Sequence, residues 1–215
     1  MIESATGLIL RTRPLTETSL IVHWLTAEFG RIATVAKGAR RARSPFAGKL
    51  DLFYAGDFSF SRSRRSDLHT LREIQLRETR GALREDIAKL RQAAYATAAI
   101  EQATETETPL PGVYGLLCGF LDCLCGQTAA PQLVFALELK LLRELGLAPN
   151  FGQSNLTAGT KKIAGMLAQQ DWTTGLRVKL TGAQTAELRQ FLHGFLIVHL
   201  GRLPAGRAVA LADTD

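Results

Sequence analysis

Cysteine is scarce in this 215-residue chain, and its placement excludes several classes of protein. The three cysteines, Cys118, Cys123 and Cys125, are an odd number and too few for the disulfide framework of a small secreted domain. They lie in one apolar stretch with no second pair of ligands, whereas a structural zinc site takes four ligands, usually as two close pairs. Buried packing is the favoured interpretation of these thiols, and we predict no metal and no cofactor.

Long apolar runs are also missing. No run approaches the roughly 18 to 20 residues that a membrane-spanning helix needs, and residues 1–4 show no basic region ahead of an apolar stretch, as a secretory signal would. With 46% hydrophobic and 21% charged residues, the composition is that of an ordinary globular chain that can form a sizeable core. We expect a cytoplasmic protein with no membrane partner.

The signatures of common enzymes are absent as well. The pair Gly48-Lys49 resembles part of a phosphate-binding loop, but Arg43 stands where that motif has its first glycine and Leu50 where it has serine or threonine. The chain contains no G-x-G-x-x-G, G-x-S-x-G or H-E-x-x-H motif. We therefore predict no catalytic residue and a protein that is not an enzyme.

Positive charge is in excess, and the excess is confined to the first third of the chain. Residues 1–80 hold 14 Lys and Arg against 8 Asp and Glu, whereas residues 81–215 hold 12 of each, so the net +6 belongs to the N-terminal part. Such an asymmetry is typical of a polyanion-binding module joined to a neutral one. Residues 37–49 contain five cations and no acid, and a second basic cluster follows at 62–65. These clusters, with a neighbouring strand cation and one aromatic side chain, predict a nucleic-acid-binding set: Arg31, Lys37, Arg40, Arg41, Arg43, Phe46, Lys49, Arg62, Arg64 and Arg65.

Strand-like segments fill the N-terminal part. Alternating or β-branched segments end at turn signals, and they cover residues 7–13, 19–26, 31–37, 50–61 and 67–74. Five short strands without a long helix predict a barrel of the oligonucleotide-binding (OB) type over residues 1–80. In the fourth segment, Phe58 and Phe60 share the apolar parity and are expected in the core. Phe53 lies on the polar parity and is, beside Phe46, the other candidate for stacking on bases.

The apolar period changes to a helical one after residue 80. Apolar residues recur every three or four positions from Leu83 to Ala98, and residues 113–126 are apolar on most sides. A third helix is predicted from Pro131 to about Gly146. The fold class is therefore α+β, with a five-stranded OB-type barrel over 1–80 followed by a helical domain over 81–215.

The last third of the chain is less regular. Residues 150–180 are weakly patterned and are interpreted as a loosely ordered link. Thr181 and Gln184 have the spacing of a capping box that opens a final helix, and Gly201 ends it. The acidic tail after Arg207 is expected to be frayed.

The third helix offers a candidate docking surface for a peptide. Lys140 and Arg143 lie beside Leu137 and Leu141 at helical spacing, which would place a cationic rim along an apolar groove. Such a surface suits a short peptide that is both acidic and hydrophobic. An ordinary amphipathic helix with no ligand is the alternative.

A series of short motifs resembles a known family. The motifs lie at residues 10–14, 17–20, 29–31, 35–41 and 48–50, and continue more loosely at 68–71, 135–142, 145–149 and 200–202. In this series the chain resembles the RecO family of DNA repair proteins, strongly over residues 7–50. The resemblance implies an OB-type barrel whose basic face coincides with Arg31, Lys37, Arg40, Arg41, Arg43 and Lys49.

The resemblance also implies a function and partners. Members of the RecO family bind single- and double-stranded DNA, anneal complementary strands and act with RecR. They help RecA load on strands coated by single-strand-binding protein (SSB), often by contacting its acidic C-terminal tail, and the surface at Lys140, Arg143, Leu137 and Leu141 is the candidate for that tail. The implied location is the cytoplasm, in association with the nucleoid. Many members carry two cysteine pairs that bind zinc soon after the segment matching 145–149. This chain has no cysteine after Cys125, so we expect its helical domain to lack that zinc site.

Two other functions remain open from the sequence. The barrel of an interaction adaptor would bind protein, and its basic loop would be incidental. A nuclease would use the barrel to capture its substrate.

Overall fold

The structure, a computed structural model, describes residues 1–212, and the chain forms two compact units. The first unit contains Met1–Arg80 and the segment Thr104–Gly115; the second contains Gly81–Ala103 and the chain from Leu116 onward. Residues 213–215, the end of the tail that we expected to be frayed, lie outside the described residues.

The first unit is a closed five-stranded barrel, which confirms the predicted fold class. Its strands join in the order β1-β2-β3-β5-β4. All neighbouring pairs are antiparallel except β3 and β5, which are parallel. Because β5 lies between β3 and β4 in this order, the chain between β3 and β4 skips one strand position. The strands are β1 (Ile2–Pro14), β2 (Leu20–Thr26), β3 (Gly30–Ala36), β4 (Ala55–Ser61) and β5 (Leu68–Glu78).

Aromatic side chains fill the barrel, as the parity of β4 predicts. Phe58 and Phe60 are both buried. Phe58 stacks on Trp24 with ring centroids 4.1 Å apart. The indole N–H of Trp24 donates to the hydroxyl of Thr34 over 2.8 Å, so the polar atom of this buried ring is satisfied. These rings are core residues.

The fourth strand begins later than the alternation predicts. Residues 50–54 form a turn, and the strand starts at Ala55. Phe53 adopts a left-handed backbone conformation with φ of 66°, and its amide donates to the carbonyl of Ile9. This turn directs the Phe53 ring inward, where it is 1% exposed, so parity along the segment does not predict its direction.

The second unit contains most of the helical part of the chain. The helices are α1 (Ile87–Ala103), α2 (Pro111–Gly126), α3 (Pro131–Glu144), α4 (Ala158–Gln169), α5 (Trp172–Leu176), α6 (Gly182–Leu200) and α7 (Arg207–Ala210), with short 3-10 turns at Gly81–Arg84 and Phe151–Gln153. The predicted helices are confirmed, including the capping box at Thr181 and the left-handed Gly201 after α6. The weakly patterned residues 150–180 are more ordered than expected, because Thr157 caps α4 and Asp171 caps α5.

Helix α3 is the centre of the helical unit. Its residues from Leu133 to Leu142 are all buried, including the charged Glu138 and Lys140. A helix that is buried on every side is surrounded by other elements of the unit, and α3 contacts α1, α4, α5 and α6. It therefore differs from the amphipathic surface helix that its sequence suggests.

Residues 207–211 are anchored rather than frayed. Arg207 is 5% exposed and forms two hydrogen bonds to the Glu138 carboxylate, at 2.7 and 2.9 Å. The Tyr95 hydroxyl donates to the same carboxylate from α1, and burial beside Glu138 raises the pKa of this phenol. The buried group Tyr95–Glu138–Arg207 therefore ties α1, α3 and α7 together.

Within the described part of the chain, no helix is both long and apolar enough to cross a membrane.

Candidate nucleic-acid interface

Residues 37–49, the basic loop, form a chain of tight turns. Backbone hydrogen bonds run from Arg41 to Gly38, from Ser44 to Arg41, from Ala47 to Ser44 and from Lys49 to Phe46, each about three residues back. The Arg40 amide donates to the carbonyl of Thr18, and its guanidinium donates to the carbonyl of Thr16 over 3.2 Å. The loop is therefore a folded projection that is fastened to the turn between β1 and β2.

Four of the five cations of the basic loop are exposed. Lys37, Arg40, Arg41 and Arg43 face solvent, and Lys49 is half-buried. Among residues 1–212, no carboxylate forms an ion pair with any of these five side chains. Guanidinium and ammonium groups that are exposed and unpaired are suited to bind phosphate oxygens.

Phe46 occupies a different place from the one we predicted. Its ring is 6% exposed and packs in the barrel core, so it anchors the basic loop to that core. A stacking platform needs an open ring face, and neither Phe46 nor the equally buried Phe53 offers one. The prediction of these two rings as base platforms is wrong, and the basic loop presents charge without an aromatic surface.

The second predicted cluster lies in residues 62–67, the β4–β5 turn. Arg64 and Arg65 are exposed. Arg62 instead forms ion pairs with Glu3 at 2.9 Å and with Glu107 at 3.2 Å, and its guanidinium lies over the Phe29 ring, 5.4 Å from the centroid. The hydrogen bond to Glu3 raises the pKa of Arg62. Two of the three arginines of this turn are thus presented to solvent.

Arg31 is also committed to contacts inside the first unit. Its guanidinium donates to the hydroxyl and the carbonyl of Thr104. Its carbonyl accepts from the amide of Glu107 over 2.9 Å. Residues 104–108, the acidic segment, therefore lie along the start of β3 and occupy the side chain that we predicted to bind nucleic acid.

Sequence reasoning missed two exposed arginines on β1 of the barrel. Arg11 pairs with His23 across β1 and β2, and Arg13 pairs with Ile21, so both arginines lie on the same strand face. Burial, together with the charges of Arg11, Arg13 and Arg31, lowers the pKa of His23 to about 4. The spacing Arg11-Thr12-Arg13 in a strand could have revealed this pair, because alternate residues point to the same side.

The two basic clusters lie at opposite ends of β3. Lys37 directly follows the last residue of β3, whereas Arg62 lies over Phe29, which directly precedes the first. The seven residues of β3 span roughly 20 Å at about 3.3 Å each. The exposed cations of these two clusters therefore lie at the two ends of one strand instead of forming a single patch.

The peptide-docking surface predicted on α3 is not present. Leu137 and Leu141 are core residues, and Lys140 is 7% exposed. The Lys140 ammonium donates to the carbonyls of Ala168 and Gln170, where it satisfies the C-terminal end of α4. Arg143 donates to the Ala168 carbonyl over 2.8 Å. Burial lowers the pKa of Lys140. Because Leu137, Lys140 and Leu141 are buried, the four predicted residues cannot form a docking surface together, and only Arg143 is exposed.

The cysteines form no cluster with other ligands. None of the three forms a disulfide, all are half-buried, and burial raises the pKa of Cys123. In the part of the chain that the structure covers, no group of three or more His, Cys, Asp or Glu side chains is arranged to hold a metal ion. The absence of metal and of cofactor stays a prediction.

Comparison with known proteins identifies the family. Residues 1–80 match the family model described as recombination protein O N terminal, and residues 84–155 match that described as recombination protein O C terminal. The first match coincides with the barrel strands, and the second begins just before α1. The chain belongs to the recombination protein O family.

Relatives of the recombination protein O family align over much of the chain. The DNA repair protein RecO of Bacillus pumilus is 33% identical over 153 residues, which are 71% of this chain and 59% of that protein. The DNA repair protein RecO of Listeria monocytogenes is 31% identical over 159 residues, 74% of this chain and 61% of the relative. That of Anaeromyxobacter sp. is 33% identical over 144 residues, 67% and 57% respectively. The alignments thus cover about three-fifths of each relative.

Proposed function

We propose that this member of the recombination protein O family is a non-enzymatic, DNA-binding mediator of recombinational DNA repair. The observation that carries the proposal is the basic loop, in which five cations lack carboxylate partners within residues 1–212 and sit on a backbone anchored by Phe46. The family match and the names of the relatives, DNA repair protein RecO, support the same function.

The proposed mechanism is neutralisation of phosphate charge. Lys37, Arg40, Arg41, Arg43 and Lys49 would contact phosphates at one end of β3, and Arg64 and Arg65 at the other. Because Phe46 and Phe53 are buried, the loop would bind backbone rather than bases and be nearly indifferent to sequence. Two strands held by cations repel each other less, and this favours the annealing of complementary strands.

The proposal includes single- and double-stranded DNA as ligands and RecR, RecA and SSB as partners, and it places the protein in the cytoplasm with the nucleoid. These assignments rest on membership of the family. The surface for the SSB tail is left unassigned, since Lys140, Leu137 and Leu141 are buried.

A salt titration of binding to single-stranded DNA tests the charge mechanism. The variant Arg41→Ala/Arg43→Ala should lower the steepness of log K against log salt by about 1.4, because each phosphate contact on a single strand contributes about 0.7. Lys162→Ala/Arg202→Ala is the matched control, since it removes two exposed charges from the helical unit. Equal slopes for the two variants would exclude the basic loop as a source of phosphate contacts.

The two alternatives give different outcomes. An adaptor whose barrel binds protein would show a flat salt response with DNA. A nuclease would shorten DNA when Mg²⁺ is added, whereas the mediator leaves the strands intact. Annealing of complementary strands coated with SSB, with and without this protein, tests the mediator function directly.

A further inference from the structure

The acidic segment 104–108 is held on the barrel by close backbone contacts. Thr106 forms a parallel bridge with Arg31, and the next amide donates to the Arg31 carbonyl. Gly30 has a φ of +64°, and a Cβ at this position would be 2.0 Å from the carbonyl oxygen of Thr108. The segment therefore packs against β3 in a place that only glycine permits.

Glu107 is the side chain that this packing places against the β4–β5 turn. Its backbone has a φ of 54°, in the left-handed region that non-glycine residues rarely adopt. One carboxylate oxygen lies 2.9 Å from Nε2 of His69, and the other lies 3.2 Å from Nη1 of Arg62. Uncommon backbone conformations that are held in place by surrounding contacts occur most often at functional sites.

The charges around Arg62 do not balance. Its guanidinium lies between two carboxylates, Glu3 through Nε and Glu107 through Nη1. Two carboxylates thus face the single guanidinium of Arg62, although Arg64 and Arg65 follow immediately and are exposed. The acidic segment thus removes one cation from this turn and adds local repulsion for phosphate.

We propose that Glu107 limits the nucleic-acid affinity of the β4–β5 turn by competing with phosphate for the guanidinium of Arg62. Carboxylates and phosphates bind the same N–H donors of arginine, so an incoming phosphate that takes the Nη1 donor of Arg62 must displace Glu107 from it. This inference rests on the proposed function. It makes the basic loop the stronger of the two clusters in the free protein.

Substitution of single acids in the segment tests the competition. Glu107→Gln keeps the size of the side chain but removes the charge. We expect this variant to bind single-stranded oligothymidine about three- to tenfold more tightly at low salt, with a log–log slope steeper by about 0.7. Glu105→Gln is the matched control, because Glu105 is exposed in the same segment and its substitution changes the net charge equally.

A double-mutant cycle connects the effect to Arg62. Arg62→Ala should change binding little in the wild-type background and should cancel the gain in the Glu107→Gln background. Equal effects of Glu107→Gln and Glu105→Gln, or a gain that survives Arg62→Ala, would overturn the inference. If a thermal scan shows that Glu107→Gln does not fold, the competition is tested in the wild type instead, by the ¹³C chemical shift of the Glu107 carboxylate. That signal should move when oligothymidine is added, and a constant signal under saturation contradicts the competition.

The proposed function has a separate outcome in the same experiment. If the wild type shows no salt-dependent binding, the proposed function is wrong. If the wild type binds with a steep slope and position 107 has no particular effect, only the role of Glu107 is lost.

Discussion

Replacing Arg207 by methionine should strongly destabilise the helical unit. The substitution leaves Glu138, which is 1% exposed, without the two hydrogen bonds of 2.7 and 2.9 Å that neutralise it. Two charges about 4 Å apart attract each other by about 4 kcal/mol at an effective dielectric constant of about 20, and removing one partner of a buried pair typically costs about 3 to 5 kcal/mol. We therefore expect the free energy of unfolding to fall by about 4 kcal/mol.

Urea denaturation followed by the helical circular dichroism signal measures this loss. Arg202→Met is the matched control, because Arg202 is exposed and its loss should change the unfolding free energy by less than about 0.5 kcal/mol. The triple variant Tyr95→Phe/Glu138→Leu/Arg207→Met removes the whole polar group together and should recover most of the stability. A loss for Arg207→Met below about 1 kcal/mol, or one equal to that of Arg202→Met, would refute the reasoning.

Three further predictions concern the barrel. Because the pKa of His23 is about 4 in the folded chain and about 6.5 when unfolded, the unfolded state binds the proton first as pH falls below 6.5. Acidification from pH 7 to pH 5 should therefore destabilise the wild type by about 1 kcal/mol more than His23→Gln in urea titrations, a value that allows for solvent screening of this half-buried ring. Phe46→Ala should lower the free energy of unfolding by about 3 kcal/mol or more. At low temperature, where the variant stays folded, it should keep the wild-type salt slope for binding to single-stranded DNA. Loss of the slope in a folded variant would show that Phe46 contacts the DNA. Gly30→Ala should lower the thermal midpoint much more than Gly48→Ala: both have positive φ, but a Cβ at Gly30 meets the Thr108 carbonyl and one at Gly48 meets nothing within 4 Å. Similar midpoints would show that the acidic segment is not tightly packed on β3.

The regular elements were predictable because each has its own apolar period. Strand alternation and turn signals located the five strands, and the capping box at Thr181 located the start of α6. Prediction failed where direction depends on tertiary structure. The turn at Phe53 reverses the parity of its side chain, and α3 is buried on all sides although it carries Glu138 and Lys140. A sequence pattern cannot show that partners 69 residues apart, Glu138 and Arg207, will neutralise each other.

The candidate site was predictable in its loops and less so in its members. The clustering of cations along the sequence located the exposed Arg41 and Arg43. It could not separate them from Arg31 and Arg62, because those two are occupied by the acidic segment, which is more than 40 residues away in the chain. Local charge counting predicts where cations occur, whereas long-range contacts decide which of them are available.

The anchoring of the basic loop has a consequence for the variation of its charge. Phe46 holds the loop from the core side, and Arg40 fastens it to the neighbouring turn, so the loop needs little ordering when a ligand arrives. Ala42, between these fixed points, and Ala47, directly after Phe46, are exposed. Lysines or glutamates introduced there would raise or lower the positive potential of the loop without disturbing the barrel, so its charge can vary independently of folding.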